Sequence, residues 1–221
     1  PDRAPGNSIR YSHVFQNEHH GITTAIWGDK KANNKPNGDA DASVIEYNQV
    51  EKNGAHGIDL EASYWRVLRN RGLDNGHKHG GTSGIHLFRE KDRNQDDPDC
   101  DRNEILYNYV SGQKDAVLSD GNGIQIDHYC DNNLVAYNVV KNNDGTGISL
   151  VIGKNNTIVF NTAYHNAVDQ KRIARGAYRA KSSSVAKNRS VPVWRVVASR
   201  TRGLLLRQIA AAATRSTTTS P

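Results

Sequence analysis

The side chains best suited to chemistry sit in short runs behind Gly-Ile pairs. In HGIDLEAS, Asp59 and Glu61 lie two apart; in SGIHLFRE, His86 is followed by Phe88 and Arg89; in NGIQIDHY, the run closes on Asp127 and His128. A histidine flanked by carboxylates is a competent general acid or base, because the carboxylates raise its pKa and fix its tautomer. Two carboxylates a few ångströms apart could instead serve glycoside hydrolysis. Phe88 would offer a sugar-stacking surface, with Arg89 and Lys78 as cations for a substrate carboxylate. Two other segments carry ligand-type groups. NGHKHGG holds His77 and His79, a weak metal pair without a third ligand, and the loop before residue 104 holds Asp96, Asp97, Asp99 and Asp101. That acidic run has the hard-oxygen chemistry of a Ca²⁺ site, or is a plain solvated loop.

What must position these residues is a repeat. Aligning the chain on Tyr47-Asn48, Tyr107-Asn108 and Tyr137-Asn138, with Phe160-Asn161, Arg69-Asn70 and Tyr11-Ser12 as variants, gives six units in register. Three residues before the anchor the side chain is always β-branched: Ile9, Ile45, Val67, Ile105, Val135, Ile158. Five after it stand Asn17, Asn53, Asn75, Gln113, Asn143 and Asn166. A Gly-Ile pair follows at Gly21, Gly57, Gly84, Gly123 and Gly147. The shortest unit, 22 or 23 residues, is too short for two packed helices, and its β-branched runs suit strands. Three short strands cannot bury their apolar side alone, so the units must stack as a solenoid. Asn recurs where the chain turns, because it tolerates left-handed backbone and bonds neighbouring amides; stacked, it forms ladders.

In the strand after each Gly-Ile, Ile58/Leu60, Ile85/Leu87, Ile124/Ile126 and Ile148/Leu150 alternate inwards. The outward column then reads Thr23, Asp59, His86, Gln125, Ser149, and the next one Ala25, Glu61, Phe88, Asp127, Val151. Successive coils lie about 4.8 Å apart, which sets Asp59 beside His86 and Asp127 one coil further on. Insertions in the middle units suggest one groove wall beside this column. Cys100 and Cys130 each lie eight residues before an anchor Asn, so they share a register that permits a disulfide, the alternative being two free thiols.

Charge divides the chain. Residues 170–221 contain twelve Lys and Arg and no acid, leaving 17 basic against all 23 acidic residues in 1–169, a net of −6. The reading is a β-helical domain over 1–169 and a basic tail over 170–221, disordered or forming a short capping helix. Without an aromatic-basic reading surface the tail implies no specific nucleic-acid partner. No apolar run is long enough for a membrane span. With no Met and no basic-then-apolar leader, the chain is expected to be a mature or truncated fragment.

The pattern Asn-x₂-Ile/Val-x₂-Asn-x-Val…Gly-Ile-x-Leu, over about residues 7–166, resembles the right-handed parallel β-helix repeat of the pectate-lyase-like superfold. The resemblance implies an all-β right-handed solenoid of about six coils with an irregular or partly helical tail. It also implies an extracellular or periplasmic, monomeric protein that meets a polysaccharide. DGNGIQID, residues 120–127, is similar to a segment of secreted β-helix proteins thought to act on polysaccharides. Mannuronan epimerases carry Tyr-Gly-Phe-Asp-Pro-His on such a strand, of which His56-Gly57-Ile58-Asp59-Leu60-Glu61 retains the Gly and the Asp. The expected activity is a polyuronate lyase or related enzyme, with His86 as acid or base oriented by Asp59 and Asp127. Glu61, or Ca²⁺ at the acidic loop, would engage the sugar carboxylate together with Arg89. A glycoside hydrolase using paired carboxylates, and a non-catalytic carbohydrate-binding, adhesin or scaffold domain, are the alternatives.

Overall fold

The computed structural model describes residues 6–25, 42–88, 100–117 and 120–167, together with the backbone of Arg195–Val196. The first coil consists of β1 (Ser8–Arg10), β2 (His13–Phe15) and β3 (Ile22–Ala25); the second of β4 (Ser43–Glu46), β5 (Gln49–Glu51) and β6 (Ile58–Glu61). β7 (Trp65–Leu68), β8 (Arg71–Leu73) and β9 (Ser83–Leu87) make the third, and β10 (Glu104–Leu106), β11 (Tyr109–Ser111) and β12 (Asn122–Ile126) the fourth. β13 (Leu134–Ala136), β14 (Val139–Lys141) and β15 (Ile148–Leu150) form the fifth, while β16 (Thr157–Val159) and β17 (Thr162–Tyr164) begin a sixth. Each strand pairs in parallel with its counterpart one coil away, giving sheet A (β1-β4-β7-β10-β13-β16), sheet B (β2-β5-β8-β11-β14-β17) and sheet C (β3-β6-β9-β12-β15). β18 (Arg195–Val196) adds to sheet C antiparallel to β15. The fold is an all-β parallel β-helix. The rest of the basic tail lies outside the described residues.

The core is the stack of inward columns. Ile45, Val67, Ile105 and Val135 from sheet A meet Val50, Val110 and Val140 from sheet B and Ile58/Leu60, Ile85/Leu87 and Ile124/Ile126 of sheet C, all buried, with Ile148 buried and Leu150 partly so at the end of the stack. At the corners the Asn ladders run as the spacing suggests. Asn108 is typical: its Nδ2 donates to Val67 O (2.8 Å) and to Asn138 Oδ1 (3.0 Å), while its Oδ1 accepts from Asn70 N (2.9 Å) and Asn70 Nδ2 (3.1 Å). A second ladder climbs through Asn17, Asn53, Asn75, Gln113, Asn143 and Asn166.

The left-handed residue is not the Asn itself, contrary to the expectation from its tolerance of that conformation. It is the residue before: Tyr11, Tyr47, Arg69, Tyr107, Tyr137 and Phe160 all have φ between 50° and 59°. The strained residue turns outwards, which swings the following Asn inwards to the backbone. Stacked exposed rings accompany the turn, with Tyr107–Tyr137 centroids 5.0 Å apart and the Arg69 guanidinium 5.2 Å from the Tyr107 ring. The Gly of each Gly-Ile also has a packing reason. A Cβ on Gly57 would come within 2.5 Å of Gly84 O and 2.9 Å of Asn75 Nδ2.

Cys100 and Cys130, both buried, are joined by a disulfide between adjacent coils, with Cα atoms 5.1 Å apart and a sequence separation of 30. Among the described residues no helix is long and apolar enough to cross a membrane.

Replacing Asn108 with Ala removes four hydrogen bonds at once and strands two buried backbone groups of the third coil, Val67 O and Asn70 N–H. Urea denaturation should show a loss of about 3 kcal/mol, against less than about 0.5 kcal/mol for Thr157→Ala on an exposed outer position. Reduction of the Cys100–Cys130 bond should cost about 3–4 kcal/mol by the same measurement, from the loop it closes.

Candidate active site

The outward column of sheet C is in exact register across coils: Thr23 pairs with Asp59, Asp59 with His86, His86 with Gln125, and Gln125 with Ser149. Alternation with Ile58, Leu60, Ile85, Leu87, Ile124 and Ile126 forces these side chains onto the outer side. Facing out of the sheet does not here mean facing water. Asp59 is 4% exposed, His86 5% and Gln125 0%.

His86 is clamped at both ring nitrogens. Its Nδ1 lies 2.9 Å from Asp59 Oδ1 and its Nε2 3.5 Å from Asp127 Oδ2. Asp127 Oδ2 also accepts from Gln125 Nε2 at 2.7 Å. The other Asp127 oxygen, Oδ1, is buried and lies 2.5 Å from His128 Nδ1, off the line of a straight hydrogen bond. His128 itself stays 42% exposed in its side chain. The array therefore runs Asp59, His86, Asp127, His128, from the interior of the face to its surface.

Burial alone would push the His86 pKa down, but hydrogen bonds to Asp127 and Asp59, and their charges, outweigh it and hold it at about 9. Burial would raise Asp59 and Asp127, yet both carboxyls lie below their ordinary value. The hydrogen bond from His86 does this at Asp59; at Asp127, His128 and then His86 do it. At neutral pH the array is a histidinium between two carboxylates.

Two histidines that the column reading passed over complete the face. His20 and His56 both stand immediately before a Gly-Ile glycine, so the repeat itself marks them. Their rings stack on one another at 5.0 Å, His56 stacks on His86 at 4.1 Å, and His86 on Phe88 at 5.5 Å. Burial keeps His56 well below its ordinary pKa, reinforced by the His86 cation, and burial likewise lowers His20. One donor atom each of His20, His56 and Asp59 fall within 4.8 Å of one another, the spacing of a three-ligand metal centre. The tautomer argues against that use. Ser83 N–H donates to His56 Nδ1 at 3.0 Å, so the neutral ring carries its proton on Nε2 and presents a donor rather than a lone pair.

Of the remaining sequence candidates, Phe88 touches the array, through its stacking on His86. Glu61 is half-buried at the end of β6, in register with Ala25, and Phe88 is half-buried just beyond β9. Lys78 is exposed and ion-pairs with Glu18. His79 stacks on His19 at 4.2 Å and contacts Glu18 O at 3.1 Å. Asp101 Oδ1 accepts from Asp131 N at 2.7 Å, which gives this carboxylate a role between coils. Arg89, Asp96, Asp97 and Asp99 lie outside the described residues.

Compared with known proteins, the chain matches no family model, no curated protein and no solved structure. The class is set by the fold alone: a parallel β-helix with a buried acid–histidine array on one outer face. What it does must be argued from that array.

The two buried histidines bend the stability curve in opposite directions. His86, raised to about 9, contributes stability that is complete below its unfolded pKa of 6.5 and is lost as pH climbs through 9. His56, depressed, contributes above 6.5, and that contribution is lost as pH falls below it. Urea midpoints between pH 5 and 10 should therefore peak near pH 6–7. His86→Gln should flatten the alkaline limb, which is worth on the order of 3 kcal/mol, and His56→Gln the acid limb.

Proposed function

We propose that this β-helix is a carbohydrate-active enzyme, a polysaccharide lyase acting on a polyuronate, in which His128 exchanges the proton with the sugar. The observation that carries the reading is the contact of Asp127 with the half-exposed His128, backed by a buried histidinium. Asp127 fixes the His128 Nδ1 side, as a buried carboxylate does in a catalytic dyad, so proton exchange with a bound sugar falls to Nε2. The off-line approach of Asp127 Oδ1 to His128 Nδ1 is the kind of contact that tightens when substrate binds.

His86 changes role relative to the sequence expectation. Both its nitrogens are engaged with carboxylates, and a histidinium with a pKa of about 9 is a poor base at neutral pH. It serves as the charge that keeps Asp127 ionised and aimed. Phe88, half-buried beside it, is the sugar-stacking candidate. The lowered carboxyls also weigh against the hydrolase alternative, which needs one carboxylic acid kept protonated by a raised pKa. Arg89, or Ca²⁺ at the acidic loop, is the candidate partner for the substrate carboxylate. An extracellular or periplasmic setting goes with such a substrate, and the Cys100–Cys130 disulfide supports an oxidising compartment. The scaffold alternative draws on one observation: Asp59, His86 and Asp127 form a closed, buried ion network that could serve structure alone.

A panel of polyuronates and neutral glycans, followed for unsaturated product and for reducing ends with and without EDTA, tests the reading. Unsaturated product from a polyuronate is expected, with His128→Ala lowering kcat about 10²–10⁴-fold while the fold persists by circular dichroism. Unchanged turnover in folded His128→Ala and Asp127→Ala would sink the site. Reducing ends without unsaturation would point to hydrolysis, and glycan retention without turnover to a binding module.

A further inference from the structure

We propose that Gln125 is a positioning residue, which fixes the Asp127 carboxylate so that its second oxygen meets His128; this rests on the role given to His128 above. Gln125 is fully buried, between His86 and Ser149 in the outward column. Its Nε2 donates to Asp127 Oδ2 at 2.7 Å, closer than the 3.5 Å approach of His86 Nε2 to the same oxygen. Its Oε1 accepts from Ser83 Oγ at 3.1 Å and from Asn122 Nδ2.

An amide can be turned over, so something must decide which end of Gln125 faces Asp127. The decision starts at a backbone group. Thr146 N–H, which can only donate, gives its hydrogen bond to Asn122 Oδ1 at 2.8 Å, and Thr146 Oγ1 lies 2.7 Å from the same oxygen. Asn122 must then turn its Nδ2 towards Gln125, which presents Oε1 to it and is left with Nε2 towards Asp127. A flipped Gln125 would set N–H against N–H at Asn122, and carbonyl oxygen against carboxylate at Asp127. The polarity of a peptide group in the fifth coil is thus passed through two side-chain amides in the fourth to the carboxylate that holds His128. Thr146 and Asn122 both precede a Gly-Ile glycine, as His20 and His56 do, so the same position of the repeat supplies the relay.

The test uses Gln125→Leu, which keeps size and loses both bonds, and Asn122→Asp, which keeps the acceptor for Thr146 but removes the donor that orients Gln125. Ring ¹⁵N shifts of His128 in long-range proton–nitrogen spectra report its tautomer directly. Both variants should move His128 away from the Nδ1–H form and lower kcat on a processed glycan at least about tenfold with KM within about twofold, as loss of an interaction made only in the transition state does. In the wild-type protein the Gln125 side-chain amide signals should titrate together with His128. Folded variants with unchanged His128 shifts and unchanged kcat would overturn the assignment. So would a wild-type Gln125 amide that ignores the His128 titration, even where both variants fail to fold. If the wild-type protein processes no glycan, the lyase reading fails, while the shifts still decide the role of Gln125.

Discussion

Everything in this molecule depends on the register between one coil and the next, and that register is held by asparagine amides buried at the corners. Each ladder Asn ties its own coil to both neighbours, through side-chain bonds to an Asn on one side and to backbone carbonyl and peptide N–H on the others. A slip of one residue would turn every inward Ile or Val outwards, and would also break all of these bonds. Left-handed backbone at Tyr47, Arg69, Tyr107 and Tyr137 costs roughly 1–2 kcal/mol each. The ladder bonds that the turn allows, and the stacking of the displaced rings, offset it.

The same register builds the array on sheet C. Asp59, His86 and Asp127 are up to 68 residues apart in sequence, yet they meet because each sits a fixed distance after a Gly-Ile pair. Burying a histidinium and two carboxylates is costly unless every charge is matched. Here the matching is close to complete: two carboxylates share the cation, Asp127 takes a further donor from Gln125, and His128 lies against its second oxygen. Packed in this way, the array sets the Asp127 carboxylate against His128, the contact on which the proposed role of His128 rests.

Much of this was legible in the repeat. The inward columns, the Asn ladders, the pairing of Asp59 with His86 and the placement of Asp127 near it all follow from counting positions after the anchors. His20 and His56 were equally legible, one residue before the same glycines, although inward–outward alternation along the strand that follows does not reach back to them. The role of His86 was not legible: its spacing says which residues flank it, but not that both nitrogens are taken. Nor was the burial of the column, since alternation tells inside from outside of the sheet and says nothing of solvent.

The sequence by itself determined the architecture, because a 22-residue unit of β-branched runs with Asn and Gly at fixed offsets has one way to bury its apolar side: stacking in parallel on copies of itself. It determined the register too, and with it which residues are neighbours. Only the tertiary structure decided how those neighbours divide their hydrogen bonds. That division turns on distances and donor directions, from the 2.9 Å contact at His86 Nδ1 to the amide polarity passed from Thr146 through Asn122 and Gln125. Spacing along a chain fixes which atoms can meet; direction and burial decide which of them carries the proton.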